Sequence, residues 1–192
     1  ADAWEEAELF DAALYPLAGA AGMLGIGYPE DEGGMGGDET HVLVASEEMI
    51  LAGTSVGTAV GLGSHGIAIP PILRMGTPEQ RARYLRPVLA GDKIAALAIT
   101  EPGAGSDVAG IGTKAVRDGD HYVVNGAKTF ITSGCRADYV TTAVRTGGPG
   151  YGGISMLVIE KGTPGFSVSK KLKKTGWWAS DTAELAFQDC RV

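Results

Sequence analysis

Ile94-Ala95-Ala96-Leu97-Ala98-Ile99-Thr100-Glu101-Pro102-Gly103-Ala104-Gly105-Ser106-Asp107 is the stretch on which the reading of this chain turns. Its apolar first half carries no charge and runs straight into Pro102, Gly103 and Gly105, the pattern of a strand delivered into a tight turn. The glycines leave successive backbone N–H groups uncovered, and the hydroxyls of Thr100 and Ser106 add donors to the same rim. Such a rim suits an anion or the edge of a heterocycle. A glycine-rich β-turn without chemical meaning accounts for the same residues equally well.

Downstream of this stretch the pattern stays β-like. Short alternating or β-branched runs are cut by glycine turns, with strands expected at Ile94–Ile99, Gly112–Val116, His121–Val124, Lys128–Thr132, Tyr139–Val144, Ile154–Ile159, Phe166–Ser169 and Glu184–Gln188. Asp118-Gly119 and Asn125-Gly126 read as hairpin turns.

Upstream the punctuation is helical. Thr77-Pro78-Glu79-Gln80 has a capping Thr, a Pro suited to the first turn and a Gln able to reach back, so a helix is expected to start there. Gly91 is placed to end it, and Pro87 to kink its last turn. Between Thr40 and about Ser64, Val42, Leu43, Ala45, Met49, Ile50 and Ala52 recur at helical intervals, which predicts a buried helix with Gly53, Gly57 and Gly61 on one close-packing stripe. The expected class is therefore α+β, with a helical domain over 1–92 and a small antiparallel β-barrel or sandwich over 93–192.

Bulk properties narrow the function. A formal charge of −7 over 192 residues disfavours nucleic acid as a partner. Cys135 and Cys190 have neither CxxC spacing nor a nearby His cluster, so neither a disulfide framework nor a metal site is expected, and a reducing compartment is. Met49 to Leu73 carries no formal charge, yet its glycines, His65 and Pro70-Pro71 argue against a membrane span. Ala1 to Glu8 is acidic, unlike a secretory signal, and reads as mid-domain. Gly61-Leu62-Gly63-Ser64-His65-Gly66 matches GxGxxG by letter, but no strand precedes it and Pro70-Pro71 interrupts the helix that should follow. Lys170, Lys171, Lys173 and Lys174 read as a charged strand edge, and Glu30-Asp31-Glu32 as a solvated turn.

Two motifs in order carry a resemblance. Ala95–Asp107 resembles the signature of the acyl-CoA dehydrogenase family, and Lys128-Thr129-Phe130-Ile131-Thr132-Ser133-Gly134 looks like its second flavin motif. The likeness extends through His65 to Asp92, and again from Gly153 through Lys161–Phe166 to Asp181–Leu185. It implies an N-terminal helical domain, a middle β-domain and FAD held against the latter. On that analogy Leu97, Ala98, Ile99, Thr100, Gly105 and Ser106 line the flavin, with Thr100 at the pyrimidine side. Ser106 meets the pyrophosphate or the substrate's CoA portion. Phe130, Ile131 and Thr132 lie at the other face and edge, where a hydroxyl near N5 can tune the cofactor. Phe130 replaces a common Trp and Ser133 a common Asn, and Trp177-Trp178 stands in a loop where relatives usually carry a small or basic residue.

The same resemblance implies an acyl-CoA substrate oxidised to the trans-2-enoyl-CoA, electron-transfer flavoprotein as acceptor and a homo-oligomeric parent, dimer or tetramer. It places the protein in bacterial cytoplasm or the mitochondrial matrix. The family's base is a Glu of a C-terminal helical domain, expected beyond Val192, so Glu101 is not assigned that role and the chain alone is expected to be inactive. An acyl-CoA oxidase, a flavin monooxygenase or a non-catalytic flavin- or CoA-binding module remain alternatives on the same fold.

Overall fold

A computed structural model describes residues 2–192. They form two compact units: one runs to Ala95 and takes back Lys174–Asp181, and the other comprises Ala96–Lys173 and Thr182–Val192.

The helical unit contains helices at Asp2–Glu6, Leu14–Ala20, Glu39–Leu51, Val56–Leu62, His65–Ala68, Pro70–Met75 and from Pro78 to Leu89. The capping box at the last of these forms: Thr77 N–H donates to Gln80 Oε1 at 2.9 Å, and Gln80 N–H to Thr77 Oγ1 at 3.3 Å. Thr77→Ala should cost about 1 kcal/mol, read as a lower urea midpoint with unchanged slope. Pro87 acts one turn earlier than expected. It has no N–H to give, so the helix loosens to π spacing over Arg81–Leu85, with Arg86 N–H reaching the Arg81 carbonyl, before Arg86–Leu89 closes the helix.

The long buried helix expected from Thr40 to Ser64 is not what forms. Glu39–Leu51 has no buried residue, and Val42, Leu43, Val44, Ile50 and Leu51 are exposed. Apolar and charged residues are intermixed around this helix, so it has no one distinctly apolar face to turn inward. It stops at Gly53, whose φ of +89° is left-handed, and Ser55 caps the next helix through Thr58 N–H at 3.1 Å. Gly53 is therefore a terminator, while Gly57 and Gly61 are close-packing positions. A Cβ on Gly57 would stand 2.9 Å from the Trp177 carbonyl carbon, and one on Gly61 3.1 Å from Ser180 Cβ. The approaching backbone is the returning segment, tied by Phe10 N–H to Ala179 O at 2.9 Å and Ala179 N–H to Glu5 Oε2 at 3.0 Å. Lys174 holds that segment by donating to the carbonyls of Trp177 and Ser180, a role apart from that of a charged strand edge. Glu32 departs from the solvated-turn reading as well: it is buried against Arg81 at 2.6 Å and Arg86 at 3.1 Å. Residues 56–75 are long and apolar enough to cross a membrane by composition, but they fold as three short helices.

The second unit carries strands β1 Ala95–Ala98, whose first residue ends the other unit, β2 Lys114–Asp118, β3 His121–Thr132, β4 Tyr139–Arg145, β5 Ile154–Glu160, β6 Phe166–Lys171 and β7 Thr182–Arg191. They make one seven-stranded sheet in the order β1-β4-β2-β3-β7-β6, with β5 added on β4. The α+β architecture is as expected, and most pairings are antiparallel; the sheet is mixed only in that β2 meets β4 in parallel at Lys114 and Arg145. Arg145 makes that contact possible by donating to the carbonyls of Ala109, Ile111, Gly148 and Gly150, which gathers the turn before β2 and the loop after β4.

Asp118 faces His121 across a tight hairpin with Gly119 at φ +62°, as its residues predict. Asn125-Gly126 is not a hairpin. It lies inside β3, and the extra residue sits on β7, where Asp189 adopts φ +47° and exchanges two hydrogen bonds with the Asn125 amide. A turn dipeptide has been used to accommodate a β-bulge.

Candidate functional site

Strand β1 ends at Ala98 and the following turn closes on itself, with Glu101 N–H donating to Ala104 O at 2.8 Å and Ala104 N–H back to Glu101 O at 3.2 Å. Gly103 and Gly105 have no left-handed φ, and a Cβ on either would meet nothing within 4 Å. Nothing within the chain requires glycine there. Space kept clear on an exposed turn, beside the exposed hydroxyl of Ser106, fits a flat or anionic group lying against the backbone.

The second motif meets this turn through β3. Thr129 N–H donates to Thr100 O at 2.9 Å, so residues 99–101 and 128–130 are held side by side. The contact is made at a second bulge: between the pairs Lys128–Leu185 and Ile131–Ala183, two residues of β3, Thr129 and Phe130, face Glu184 alone on β7. Released from the ladder, Phe130 takes φ +60° and leaves its ring 68% exposed. A bulky residue in the left-handed region costs on the order of 1 to 2 kcal/mol, and an exposed ring recovers none of that by burial.

A buried ion pair braces the junction. Lys128, with its side chain 0% exposed, donates through Nζ to Ile99 O and to Glu101 Oε1, each at 2.8 Å. The Glu101 carboxylate also accepts from Gly112 N–H at 2.7 Å and Thr113 N–H at 3.0 Å. Burial pushes this carboxyl up, but the Lys128 ammonium and the amides of Gly112 and Thr113 outweigh it, and the group titrates below its ordinary value. Burial pulls Lys128 down while Glu101 pushes it back up, leaving it below the usual lysine range. The pair is ionised at neutral pH, since each charge has its counterion and hydrogen bonds. A carboxylate depressed on folding stabilises the fold above its unfolded value, near pH 4, and that contribution disappears as pH falls through the lower folded value. Urea unfolding measured from pH 7 down to about pH 3 should therefore show an acid loss that Glu101→Gln reduces.

Not every expected residue reaches a surface. Leu97, Ile99, Thr100 and Thr132 are half-buried, and Gly105, Ser106 and Phe130 are exposed. Ala98 at 0% and Ile131 at 2% exposure are core positions, where alternation along their strands turns them inward. Ile99 packs its side chain on Ala104, Ile111 and Ala143, leaving its backbone for the rim. Two clefts of about 570 and 620 Å³ lie elsewhere, in the helical unit. The first contains Tyr28, whose hydroxyl burial pushes up to about 12, and His65, which burial holds below its ordinary value.

Residues 1–92 match the family model described as acyl-CoA dehydrogenase, N-terminal domain, and residues 96–190 match that for the middle domain. The chain belongs to the acyl-CoA dehydrogenase family. It is 41% identical to mitochondrial isobutyryl-CoA dehydrogenase of Bos taurus, covering 98% of this chain and 45% of that protein. Among solved structures, one described as a probable acyl CoA dehydrogenase from Mycobacterium abscessus aligns with TM-score 0.97 at 56% identity, over 100% of this chain and 51% of the other. An acyl-CoA dehydrogenase from Bacillus anthracis complexed with FAD aligns with TM-score 0.83 at 36% identity, over 94% and 31%. The chain spans about half the length of the curated relatives it matches.

Proposed function

We infer that this chain is the flavin-holding half of an FAD-dependent acyl-CoA dehydrogenase, acting on an acyl-CoA thioester to give the trans-2-enoyl-CoA. The observation that carries the reading is the Thr129–Thr100 hydrogen bond, which sets an open glycine turn beside a ring forced outward on strained backbone. The donor set suits a flavin: hydroxyls and bare amides for the polar edge and pyrophosphate, and an aromatic face for the tricyclic ring. FAD, when bound, supplies acceptance of the substrate's β-hydrogen with its electron pair.

The chain's own residues then have distinct tasks. Thr100 orients the pyrimidine edge, Phe130 covers a ring face, Thr132 presents its hydroxyl toward the reacting edge, and Ser106 with the Gly105 amide takes a phosphate. Leu97 and Ile99 contribute apolar surface and backbone to the same rim. Glu101 is committed to Lys128 and two amides, so it is not free to serve as a base. The proton-abstracting base belongs elsewhere in the whole protein. We further assign the parent an electron-transfer flavoprotein as acceptor, a homo-oligomeric assembly, and a bacterial cytoplasmic or mitochondrial matrix location.

The test is FAD titration of the protein followed by flavin absorbance and fluorescence. Thr100→Val should weaken binding about tenfold, the loss of one hydrogen bond to a polar ring edge. A flavin spectrum identical to free FAD at every protein concentration would remove the reading. Reoxidation by dioxygen in preference to an electron-transfer flavoprotein would instead favour an oxidase on the same fold.

A further inference from the structure

Three successive carbonyls approach the rim, and all three are fixed from behind. Ile99 O accepts from Lys128 Nζ at 2.8 Å, Thr100 O from Thr129 N–H at 2.9 Å and Glu101 O from Ala104 N–H at 3.2 Å. With the carbonyls held, the peptide planes of 99–101 cannot rotate, and the Thr100 side chain is aimed by them. The only charged member of this set is the Lys128 ammonium, which is also bound to the Glu101 carboxylate. That carboxylate reaches across to the amides of Gly112 and Thr113, so one ion pair spans β3, the glycine turn and the entry to β2. Replacing such a pair by apolar groups is often neutral for stability, so folding alone does not account for an ion pair at this place.

We propose that Lys128 and Glu101 are a positioning pair for the flavin edge, acting through Thr100. The proposal rests on the flavin reading above and assigns it a device in the chain behind the rim. The pair has two effects. It locks the Ile99–Thr100 peptide, and its ammonium polarises that peptide through Ile99 O, which strengthens the donor character of the linked Thr100 amide. The pair is an oriented dipole, positive at the peptide that carries Thr100 and negative at the amides of Gly112 and Thr113. A ring that becomes richer in electrons on reduction is favoured by the positive end. Lys128 is the charged group facing Glu101, and Arg145, bound to the carbonyls of Ala109 and Ile111, is the next along the turn that carries Gly112.

The test compares wild-type protein with the Lys128→Met/Glu101→Gln double variant, which removes both charges without stranding either. Each protein is stripped of flavin and titrated with FAD. Three quantities are read: the urea midpoint without FAD, the FAD dissociation constant and the flavin midpoint potential. Expected is a folded apo double variant whose FAD dissociation constant is raised roughly ten- to hundredfold and whose potential is more negative. A folded double variant with wild-type affinity and potential overturns the proposal. If the double variant does not fold, pH decides. Wild-type FAD affinity should fall on acidification as Glu101 takes up a proton, and Glu101→Gln should lack that dependence. Affinity that is independent of pH in the wild type, or equally dependent in Glu101→Gln, overturns the proposal. Wild-type protein that never binds FAD overturns both the proposal and the flavin reading, a result distinct from binding that is indifferent to the pair.

Discussion

Lys128→Met should cost the β-unit about 3 to 5 kcal/mol of folding free energy, because it leaves the Glu101 carboxylate in a buried site without its counterion. The amides of Gly112 and Thr113 would still solvate that carboxylate, which places the loss toward the lower end. Ile99 O would lose its donor as well. The measurement is the free energy of urea unfolding at pH 7, where the wild-type pair is ionised. Adding Glu101→Gln to the same background should recover part of the loss, since the orphaned charge disappears with it. A single variant within about 1 kcal/mol of wild type would mean that water reaches the site and that the pair is not buried in solution.

Gly91→Ala should destabilise the helical unit by about 3 kcal/mol or more. Two causes combine there. Gly91 has φ +81°, a region that penalises any side chain, and a Cβ would run into the Tyr15 carbonyl with Pro16 Cα 2.8 Å away. Both obstacles are backbone, so no rotamer change relieves them. The opposite side of the crossing has the same constraint, since a Cβ on Gly19 would meet the Ala90 carbonyl. Circular dichroism melting of Gly91→Ala against Gly66→Ala, a glycine with open space around it and no left-handed φ, isolates the effect. Equal melting temperatures for the two variants would contradict the close crossing.

The strands were legible because their signals are local. Alternation and glycine punctuation placed β1, β4, β5 and β6 within two residues of their observed bounds, and the Asp118-Gly119 hairpin followed from its turn chemistry. Where partner identity mattered, local reading failed. Asn125-Gly126 carries the residues of a turn, yet the bulge it accommodates is created by Asp189 on β7, sixty-four positions away. The parallel contact of β2 with β4 depends on Arg145 gathering two loops, which no periodicity reports. In the helices, apolar spacing alone predicted burial for Glu39–Leu51, but spacing does not say whether a neighbour exists to bury against.

The candidate site divides in the same way. Thr100, Gly105, Ser106, Phe130 and Thr132 are singled out by motif residues, and the structure leaves each with accessible surface. Ala98 and Ile131 belong to the same motifs but face the core, a distinction set by strand alternation once the strand ends are known. The Lys128–Glu101 pair escaped sequence reading altogether. A lysine inside a strand reads as solvent-facing, and only the meeting of two separated turns turns it inward. The signal that existed was a lone charge in an otherwise apolar or hydroxylic run, which buries cheaply only beside an opposite charge.

Phe130 has one more consequence, for how this protein can be altered. Glycine or asparagine would sit more comfortably in its left-handed backbone, so a screen for heat resistance alone would favour discarding the ring. The position is a point where durability and occupancy of the rim pull apart. Libraries aimed at hardening the molecule should hold residue 130 aromatic and look for their gains in ordinary turns and helix ends.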